Sequence, residues 1–300
     1  MSLLIAGTVA FDTIETPFGK VTDVLGGSGT YAAVAASFFT PVNLVSVVGN
    51  DFPKSEEKFL KSRSIDVKGI TRARGRTFRW GGSYEFDLNQ AHTKFTELNV
   101  LANYQPSLPP GYKKSKYIFL ANLDPVVQRE VIKQLEKPEF ILIDTMNFWI
   151  QNSRKELIKT IKMCHGLVLN DAEARELAQE ASLIKAGRRL LGHKLKMVII
   201  KKGEHGALLF TKDNFFAAPS FPLEELRDPT GAGDTFAGAL GGYLAKTQDL
   251  SEANLRKAII TGTIIASFNV EDFSLNRMKK LTKKEISSRY EELRQVVFFE

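Results

Sequence analysis

Short apolar segments alternate with longer amphipathic segments along most of this chain, and that alternation restricts the fold more than any other feature. Six apolar segments have the length and composition of buried strands, at residues 3–6, 44–48, 117–120, 140–143, 167–169 and 197–200. Segments with helical periodicity lie between them, for example 126–135, 155–163 and 172–178. Strands that alternate with helices form a doubly wound, mostly parallel sheet, which binds ligands beyond the carboxyl ends of its strands. We therefore predict an α/β fold with helices on both faces of one such sheet.

One region departs from this alternation. Residues 76–88 place a glycine pair, Gly81-Gly82, between aromatic segments of high β propensity, and residues 93–101 continue in a similar style. The pattern predicts a small antiparallel excursion in which the glycine pair is the turn signal. From the residues alone, an ordinary hairpin and a flap over a ligand site both remain open.

Composition favours one soluble α/β domain with a small appendage. The chain has 300 residues, 43% of them hydrophobic and 25% charged. The formal net charge is +7, but the basic residues are scattered, so we expect no nucleic-acid partner. No segment approaches the roughly 20 apolar residues of a membrane span, and the N-terminus lacks a signal-peptide pattern. Cys164 is the single cysteine, which excludes an intrachain disulfide and favours a cytoplasmic location.

Residues 228–244 carry the strongest local signal, a tight turn of sequence DPTGAGD that leads directly into a helix of small apolar residues. A helix that begins this way points unpaired backbone N–H groups outward, and such groups hold anions. Asp234 lies in the first turn, where a carboxylate can receive the proton of a hydroxyl that attacks a phosphoryl group. Capping and the helix dipole also favour an Asp there, so a structural and a catalytic role both remain open.

Four motifs together resemble the ribokinase/PfkB family of carbohydrate kinases and follow one another in the family's order. They are GTVAFD at 7–12 with GGSGTYAAVA at 26–35, NDAE at 170–173, KKGEHGA at 201–207 and DPTGAGDTF at 228–236. Each motif alone is weak evidence, but together they cover nearly the whole chain. The resemblance implies a single ribokinase-like kinase domain over residues 1–300, with a β lid at about 12–24 and 74–104.

The resemblance also implies roles on the acceptor side of a site. Asp234 would be the general base for transfer of the γ-phosphate of ATP, and the loop of Gly231, Ala232 and Gly233 would hold the transferring group. Asp12 would bind substrate hydroxyls, since a carboxylate can accept hydrogen bonds from two neighbouring hydroxyls. The other implied substrate contacts are Gly26, Gly27, Ser28 and Asp124. Ribokinase itself has a lysine after the glycine pair, so Ser28 puts ribose in doubt as the acceptor.

On the nucleotide side, the resemblance implies that Asn170 and Glu173 organise Mg²⁺, partly through water, because Mg²⁺ prefers oxygen ligands and keeps several waters. The same two residues also fit a helix capping box, and both roles can hold together. The implied nucleotide contacts are Asn170, Lys201, Gly203, Gly206 and Asn269. Some relatives bind a monovalent cation such as K⁺, for which Asp228 would be the ligand here.

The resemblance leaves the acceptor open. The first expectation is an ATP-dependent kinase for a hydroxyl of a sugar or a sugar-like small molecule. One alternative is a nucleoside kinase of the adenosine or inosine type, with the base stacked on lid aromatics such as Phe78, Trp80 or Tyr84. Another is a non-catalytic sensor of sugars or nucleotides, although a sensor has no need of Asp234. A homodimer formed through the lid strands is a further expectation.

Overall fold

A large, mostly parallel sheet forms the centre of the molecule in the computed structural model, which describes residues 1–193 and 195–298. Its described strands, in spatial order, are β13 (Phe215–Ala218), β12 (Ala207–Thr211), β11 (Met197–Lys201), β10 (Gly166–Asn170), β9 (Phe140–Asp144), β8 (Tyr117–Leu120), β1 (Leu3–Ala6), β4 (Val42–Val48) and β5 (Ile65–Arg72). Strand β12 is antiparallel to both neighbours, and the other described pairings in this sheet are parallel. The predicted doubly wound α/β fold is therefore confirmed.

Helices cover both faces of this sheet and enclose two hydrophobic cores. One face carries α1 (Ser28–Ala36), α2 (Lys54–Ser62), α8 (Ala232–Thr247), α9 (Glu252–Asn269), α10 (Asn276–Lys280) and α11 (Lys283–Val296). The other carries α3 (Pro125–Lys133), α4 (Asn147–Asn152), α5 (Arg154–Ile161), α6 (Asp171–Ala178) and α7 (Leu183–Leu191). In β1, Leu3 packs into the first core and Leu4 into the second, which explains why the buried strands are continuous apolar runs.

Helices α1 and α8 pack unusually close to one another. A Cβ atom on Gly238 would lie 2.3 Å from the carbonyl oxygen of Ala32, and one on Gly242 would lie 2.8 Å from Cα of Ala36. Because glycine has no side chain at these contacts, the two backbones approach directly. The close packing brings the glycine-rich turns that precede the two helices to the same side of the molecule.

All six predicted strands are present, each within two residues of its predicted bounds. Strand β5 has no counterpart in the prediction because it lies at the edge of the sheet. Its alternate residues are partly or fully exposed, among them Lys68 and Arg72, so it lacks the continuous apolar run of the central strands.

A second, smaller sheet lies beside the first. Its described strands are, in order, β3 (Gly19–Gly26), β2 (Ala10–Thr16), β6 (Phe78–Tyr84) and β7 (Ala91–Glu97). Strands β2 and β6 pair in parallel, and the two outer pairs are antiparallel. Strand β7 is exposed along its whole length.

The prediction that Gly81-Gly82 forms a turn is wrong, because both glycines lie in the middle of β6. A Cβ atom on Gly81 would lie 2.2 Å from the Phe95 ring, and one on Gly82 would lie 2.4 Å from the Trp80 ring. Neighbouring residues of a strand face opposite sides, so the pair makes room for one aromatic ring on each face of the sheet.

Candidate active site

The start of α8 exposes unpaired backbone N–H groups, as its sequence predicts. Gly231 has a φ of 73°, and a Cβ atom there would lie 2.4 Å from the Tyr31 ring, so this position requires glycine. Ala232 N donates to the carbonyl of Pro229, but the N–H groups of Gly231, Gly233 and Asp234 donate to no other described residue. Unpaired donors at the positive end of a helix dipole form a site for an anion.

Asp234 lies in the first turn of α8, beside these N–H groups. Burial, and then repulsion by Asp144, raise the pKa of its carboxyl to about 7, although Lys201 acts in the opposite direction. A general base works best when its pKa lies near the operating pH. The carboxylate therefore has the position and the basicity to take a proton from a hydroxyl next to the anion site.

Asp12 is a second buried carboxylate on the same side of the molecule. It is 4% exposed, and Gly27 N donates to its Oδ2 at 3.4 Å. The pKa of Asp12 is raised to about 7, mainly by burial and also by repulsion from Asp228 and Asp234, although the hydrogen bond from Gly27 acts in the opposite direction. Asp12 and Asp234 are thus close enough for the charge of Asp234 to raise the pKa of Asp12.

The turn before α1 has a different character, because its polar groups are already paired. Ser28 Oγ donates to the carbonyl of Asn122 at 3.0 Å and accepts from Thr8 N at 3.1 Å. Ser28 N donates to Thr8 Oγ1 at 2.9 Å, and Gly29 N donates to Thr8 O at 2.9 Å. Ser28 therefore ties together the residues that follow β1 and β8 at the base of the site.

The second sheet extends over this site from the side of Asp12. Asp12 of β2 pairs in register with Trp80 of β6, so the two side chains project from the same face of the lid. Two residues beyond Gly82, on that face, Tyr84 Oη lies 3.1 Å from Thr230 Oγ1 in the turn before α8. Strand β6 of the second sheet is therefore joined to the turn before α8, and Trp80 and Asp12 are neighbours on one face of that sheet.

Three neighbouring parallel strands end in polar residues that face the same region. Asp144 ends β9, Asn170 ends β10 and Lys201 ends β11. Lys201 Nζ reaches across the middle strand to lie 3.1 Å from Asp144 Oδ2. Asp144 is absent from the predicted site residues. The signal that could have found it is an acidic residue at the carboxyl end of a fully apolar strand.

Asn170 and Glu173 form the capping box that their spacing suggests. Glu173 N donates to Asn170 Oδ1 at 2.8 Å, and Asn170 N donates to Glu173 Oε2 at 2.7 Å. Burial raises the pKa of Glu173 to about 7, with Lys201 lowering and Asp144 raising it. These bonds leave lone pairs free on both carboxyl oxygens, so the geometry admits a water-mediated metal contact.

Two predicted site residues hold the turn before α8 in place. Both carboxylate oxygens of Asp228 accept backbone N–H groups, from Thr230 and Ser274, each at 2.9 Å. Asn269 is fully buried, donates to the carbonyl of Thr230 at 2.9 Å and accepts from Thr235 Oγ1 at 3.2 Å. Both side chains fix the backbone that presents the unpaired N–H groups.

Three further predicted residues lie in the loop between β11 and β12 and at the start of α3. Gly203 and Gly206 have φ values of 54° and 80° in the loop that joins β11 to β12, and a Cβ atom on Gly206 would lie 2.0 Å from Ala218 O. Asp124 caps α3, where its Oδ1 accepts from Val126 N at 2.7 Å. That bond accounts for Asp124 without a ligand, and its predicted substrate contact stays a prediction.

The family model for pfkB family carbohydrate kinases matches residues 9–280, and the chain belongs to that family. Members of this family are phosphotransferases that act on hydroxyl groups of sugars and nucleosides, with ATP as the co-substrate and typically a divalent metal. Among the described helices, none has an apolar stretch of the length required to traverse a bilayer.

Two relatives with assigned activities cover most of the chain. A cytidine kinase of Thermococcus kodakarensis is 29% identical over 251 residues, which are 81% of this chain and 88% of the relative. A nucleoside kinase of Methanocaldococcus jannaschii is 25% identical over 230 residues, covering 76% of this chain and 72% of the relative.

Solved structures share the fold at lower identity. The crystal structure of the Methanocaldococcus jannaschii nucleoside kinase has a TM-score of 0.77 at 21% identity and covers 97% of this chain and 98% of its own. A putative ribokinase II from E. coli has a TM-score of 0.81 at 17% identity, with 97% and 99% covered. The ribokinase-like fold is thus common to nucleoside and sugar kinases.

Proposed function

We propose that this protein is an ATP-dependent kinase that phosphorylates a primary hydroxyl of a nucleoside. The observation that carries the proposal is the register of β2 and β6, which sets Trp80 beside Asp12 on the same face of the lid. A ribose bound to Asp12 through its vicinal hydroxyls has its base close to the indole ring, and stacking on an aromatic ring stabilises a bound base. A free sugar would leave that ring without a partner.

The proposed chemistry is an in-line transfer. The acceptor oxygen forms a bond to the γ-phosphorus of ATP while the bond from that phosphorus to the bridging β–γ oxygen breaks, and ADP leaves with the electron pair. Asp234 takes the proton of the acceptor hydroxyl. The unpaired N–H groups of Gly231 and Gly233 would donate to the oxygens on which negative charge is redistributed, which lowers the barrier electrostatically, whereas Ala232 N already donates to the carbonyl of Pro229.

A bound Mg²⁺ would supply further positive charge to the phosphates. In the described part of the chain, no group of three or more His, Cys, Asp or Glu side chains is arranged to hold a metal ion. A metal held mainly by nucleotide oxygens and water fits this donor set, with Asn170 and Glu173 as partners through water. At Asp228 a K⁺ ion would have to share the carboxylate with two backbone N–H groups, so activation by K⁺ stays a prediction.

The relatives support the nucleoside as acceptor and leave the base open. Both relatives described above that carry an assigned activity are named as kinases of nucleosides, one of them of cytidine. The sugar kinase expected first from the motifs is the competing possibility, and Ser28 in place of the ribokinase lysine weighs against ribose. Pairing of two lids through β7 stays a prediction that the exposure of this strand favours.

The test is a coupled ADP-release assay with Mg-ATP against cytidine, uridine, adenosine, inosine, ribose and fructose. We expect kcat/KM for at least one nucleoside to exceed that for every free sugar by about 100-fold, the value of one good stacking contact plus one hydrogen bond. A free sugar that is phosphorylated best would contradict the nucleoside proposal. Turnover of no acceptor, with ATP still bound, would favour the sensor.

A spectroscopic arm tests the lid directly, because the chain has only two tryptophans. Trp149 lies in α4, where its Nε1 donates to Asn122 Oδ1. In a Trp149→Phe variant the emission comes from Trp80 alone. We expect nucleosides to quench it at concentrations where ribose has no effect; equal effects of both would contradict stacking on Trp80.

A further inference from the structure

Lys201 and Asp144 form a buried ion pair that the chemistry described so far does not use. Lys201 Nζ lies 3.1 Å from Asp144 Oδ2, and their side chains are 17% and 4% exposed. Taking two charges out of water is costly, and their mutual attraction offsets that cost only in part. A buried pair at the ligand-binding edge of a parallel sheet therefore calls for a functional explanation.

The ammonium of this pair lies against the start of α8. A Cβ atom on Gly233 would lie 2.9 Å from Lys201 Nζ, so the absence of a side chain at Gly233 admits the lysine to this position. The helix dipole places partial positive charge at the same end, where a cation is unfavourable. Lys201 thus lies where its charge opposes the helix, next to N–H groups that have no partner.

Carboxylates keep the lysine charged at this unfavourable position. Burial lowers the pKa of Lys201, but the charges of Asp144, Glu173 and Asp234 together raise it above its usual value. Lys201 is therefore a fixed positive charge rather than a base. An anion bound beside both its ammonium and the start of α8 would be attracted by both.

We propose that Lys201 is a catalytic residue that binds the non-bridging oxygens of the γ-phosphoryl group during transfer, and that Asp144 is its positioning residue. The inference rests on the proposed function, because it assigns a partner to the phosphoryl group of that reaction. Lys201 keeps its proton and forms no covalent bond. A compact ammonium on a flexible stem can follow the phosphoryl group from ADP to the acceptor oxygen while Asp144 holds it in the site.

The test compares Lys201→Met with Lys202→Met, which removes the next charge along the chain. The Lys202 ammonium is directed to the carbonyl of His205 at 3.4 Å, away from the ion pair. We expect Lys201→Met to lower kcat by about 100- to 1,000-fold, the usual loss for one group that stabilises transition-state charge. Lys202→Met should keep kcat within about twofold, as a surface substitution does.

Measurements of nucleotide binding distinguish contact with the γ-phosphoryl group from a general contribution to nucleotide binding. These measurements need no acceptor substrate. In calorimetry, Lys201→Met should lower the affinity for a non-hydrolysable ATP analogue by about tenfold, as expected for one lost charged hydrogen bond, and should change the affinity for ADP by less than about twofold. Equal losses for both nucleotides, or an unchanged kcat, would overturn the proposal. Lys201→Gln, which keeps polarity without charge, should show the same selective loss and serves if the Met variant melts early.

Asp144 is tested through its dependence on Lys201. Asp144→Asn should lower kcat by about tenfold or more in the wild-type background and by less than about twofold in the Lys201→Met background, because residues that act as a unit are not additive. Effects that multiply would show that Asp144 does not act through the lysine.

Failure of this inference and failure of the proposed function are distinguishable. If the wild-type protein phosphorylates no nucleoside or sugar, the proposed function fails. The difference between the ATP analogue and ADP still reports whether Lys201 binds the γ-phosphoryl group.

Discussion

Two glycine-rich turns lie side by side in this protein, one before α1 and one before α8, and they differ in backbone geometry and in how their N–H groups are paired. Gly27 and Gly231 both have a positive φ, at 91° and 73°, and each is followed directly by a buried helix. In the turn before α1, the hydroxyl and carbonyl of Thr8 take up the first N–H groups. In the turn before α8, Ala232 N donates to the carbonyl of Pro229, but the N–H groups of Gly231, Gly233 and Asp234 have no partner among the described residues.

This difference shows that a glycine turn before a helix is a site only when its donors are left free. The first N–H groups of a helix have no partner within the helix, so they can hold an anion unless another part of the chain pairs with them. The α1 turn is a structural joint that also supports Asp12. Hydrogen bonds with Asp228 and Asn269 hold the backbone of the α8 turn, while the N–H groups of Gly231 and Gly233 remain unpaired.

The largest effect on activity should come from substitution of Asp234 in the turn before α8, compared with Asp12 beside the turn before α1. We expect Asp234→Asn to lower kcat by about 10²- to 10⁴-fold, the usual contribution of a general base, with ATP affinity retained. Asp12→Asn should mainly raise the KM for the acceptor, because Asp12 binds rather than reacts. Steady-state kinetics of both variants test this, and a kcat near wild type in Asp234→Asn would end the assignment of the base.

The pH dependence should follow from the raised pKa of these two carboxyls. Both have a pKa of about 7 in the folded protein and must be ionised to act, so kcat/KM should fall as the pH drops below 7. The fall should be between about tenfold and about 100-fold per pH unit, for one or two required ionisations. A profile that is flat from pH 8 to pH 5.5 would show that no required carboxyl has a pKa raised to about 7.

Alanine in each turn separates the structural role from the catalytic one. At Gly233 a Cβ atom would meet the mobile end of Lys201, whereas at Gly29 it would lie 2.8 Å from backbone carbon of Gly7, which cannot move. We expect Gly233→Ala to lower kcat by about 10- to 100-fold with little loss of stability, as a misplaced catalytic group does. Gly29→Ala should instead cost about 1–3 kcal/mol of unfolding free energy. Thermal melts and kinetics on both variants check this, and the reverse pattern would contradict the comparison.

The proposed stacking of the nucleoside base on Trp80 is tested by substitution. Trp80→Ala should raise the KM for a nucleoside by about tenfold, since one stacking contact is worth about 1–3 kcal/mol, and should leave the KM for ATP unchanged. Phe148, an exposed aromatic residue in α4, provides the control substitution. If Trp80→Ala raises the KM for ATP and the KM for the nucleoside equally, the ring supports the second sheet as a whole and does not contact the base.

The smallest effect is on stability without ligand. The folded pKa of Asp234 lies above its unfolded value, so its contribution is present at low pH and is lost as the pH rises through about 7. Asp234→Asn removes that loss, and we expect it to raise the melting temperature at pH 8 by about 2–6 °C. The gain should shrink toward pH 5. A destabilised variant at pH 8 would show that the carboxylate holds the fold together.

The sequence allowed the central strands and the α8 turn to be predicted, because both are local patterns. It did not reveal Asp144, whose importance depends on β9 and β11 lying on either side of β10. The resemblance implies a nucleotide contact for Asn269, and this stays a prediction; the sequence did not reveal that its amide is buried against Thr230 and Thr235. The glycine pair in β6 was misread as a turn because its neighbours, the rings of Trp80 and Phe95, are set by strand pairing.

We propose above that the start of α8 receives the transferring phosphoryl group. The most direct measurement is a crystal structure with a non-hydrolysable ATP analogue, Mg²⁺ and the preferred nucleoside. We predict γ-phosphate oxygens within hydrogen-bond distance of Gly231 N, Gly233 N and Lys201 Nζ, with the Asp234 carboxylate next to the acceptor hydroxyl. A γ-phosphate bound away from α8, with the N–H groups at the start of α8 still unpaired, would contradict this role of the α8 turn.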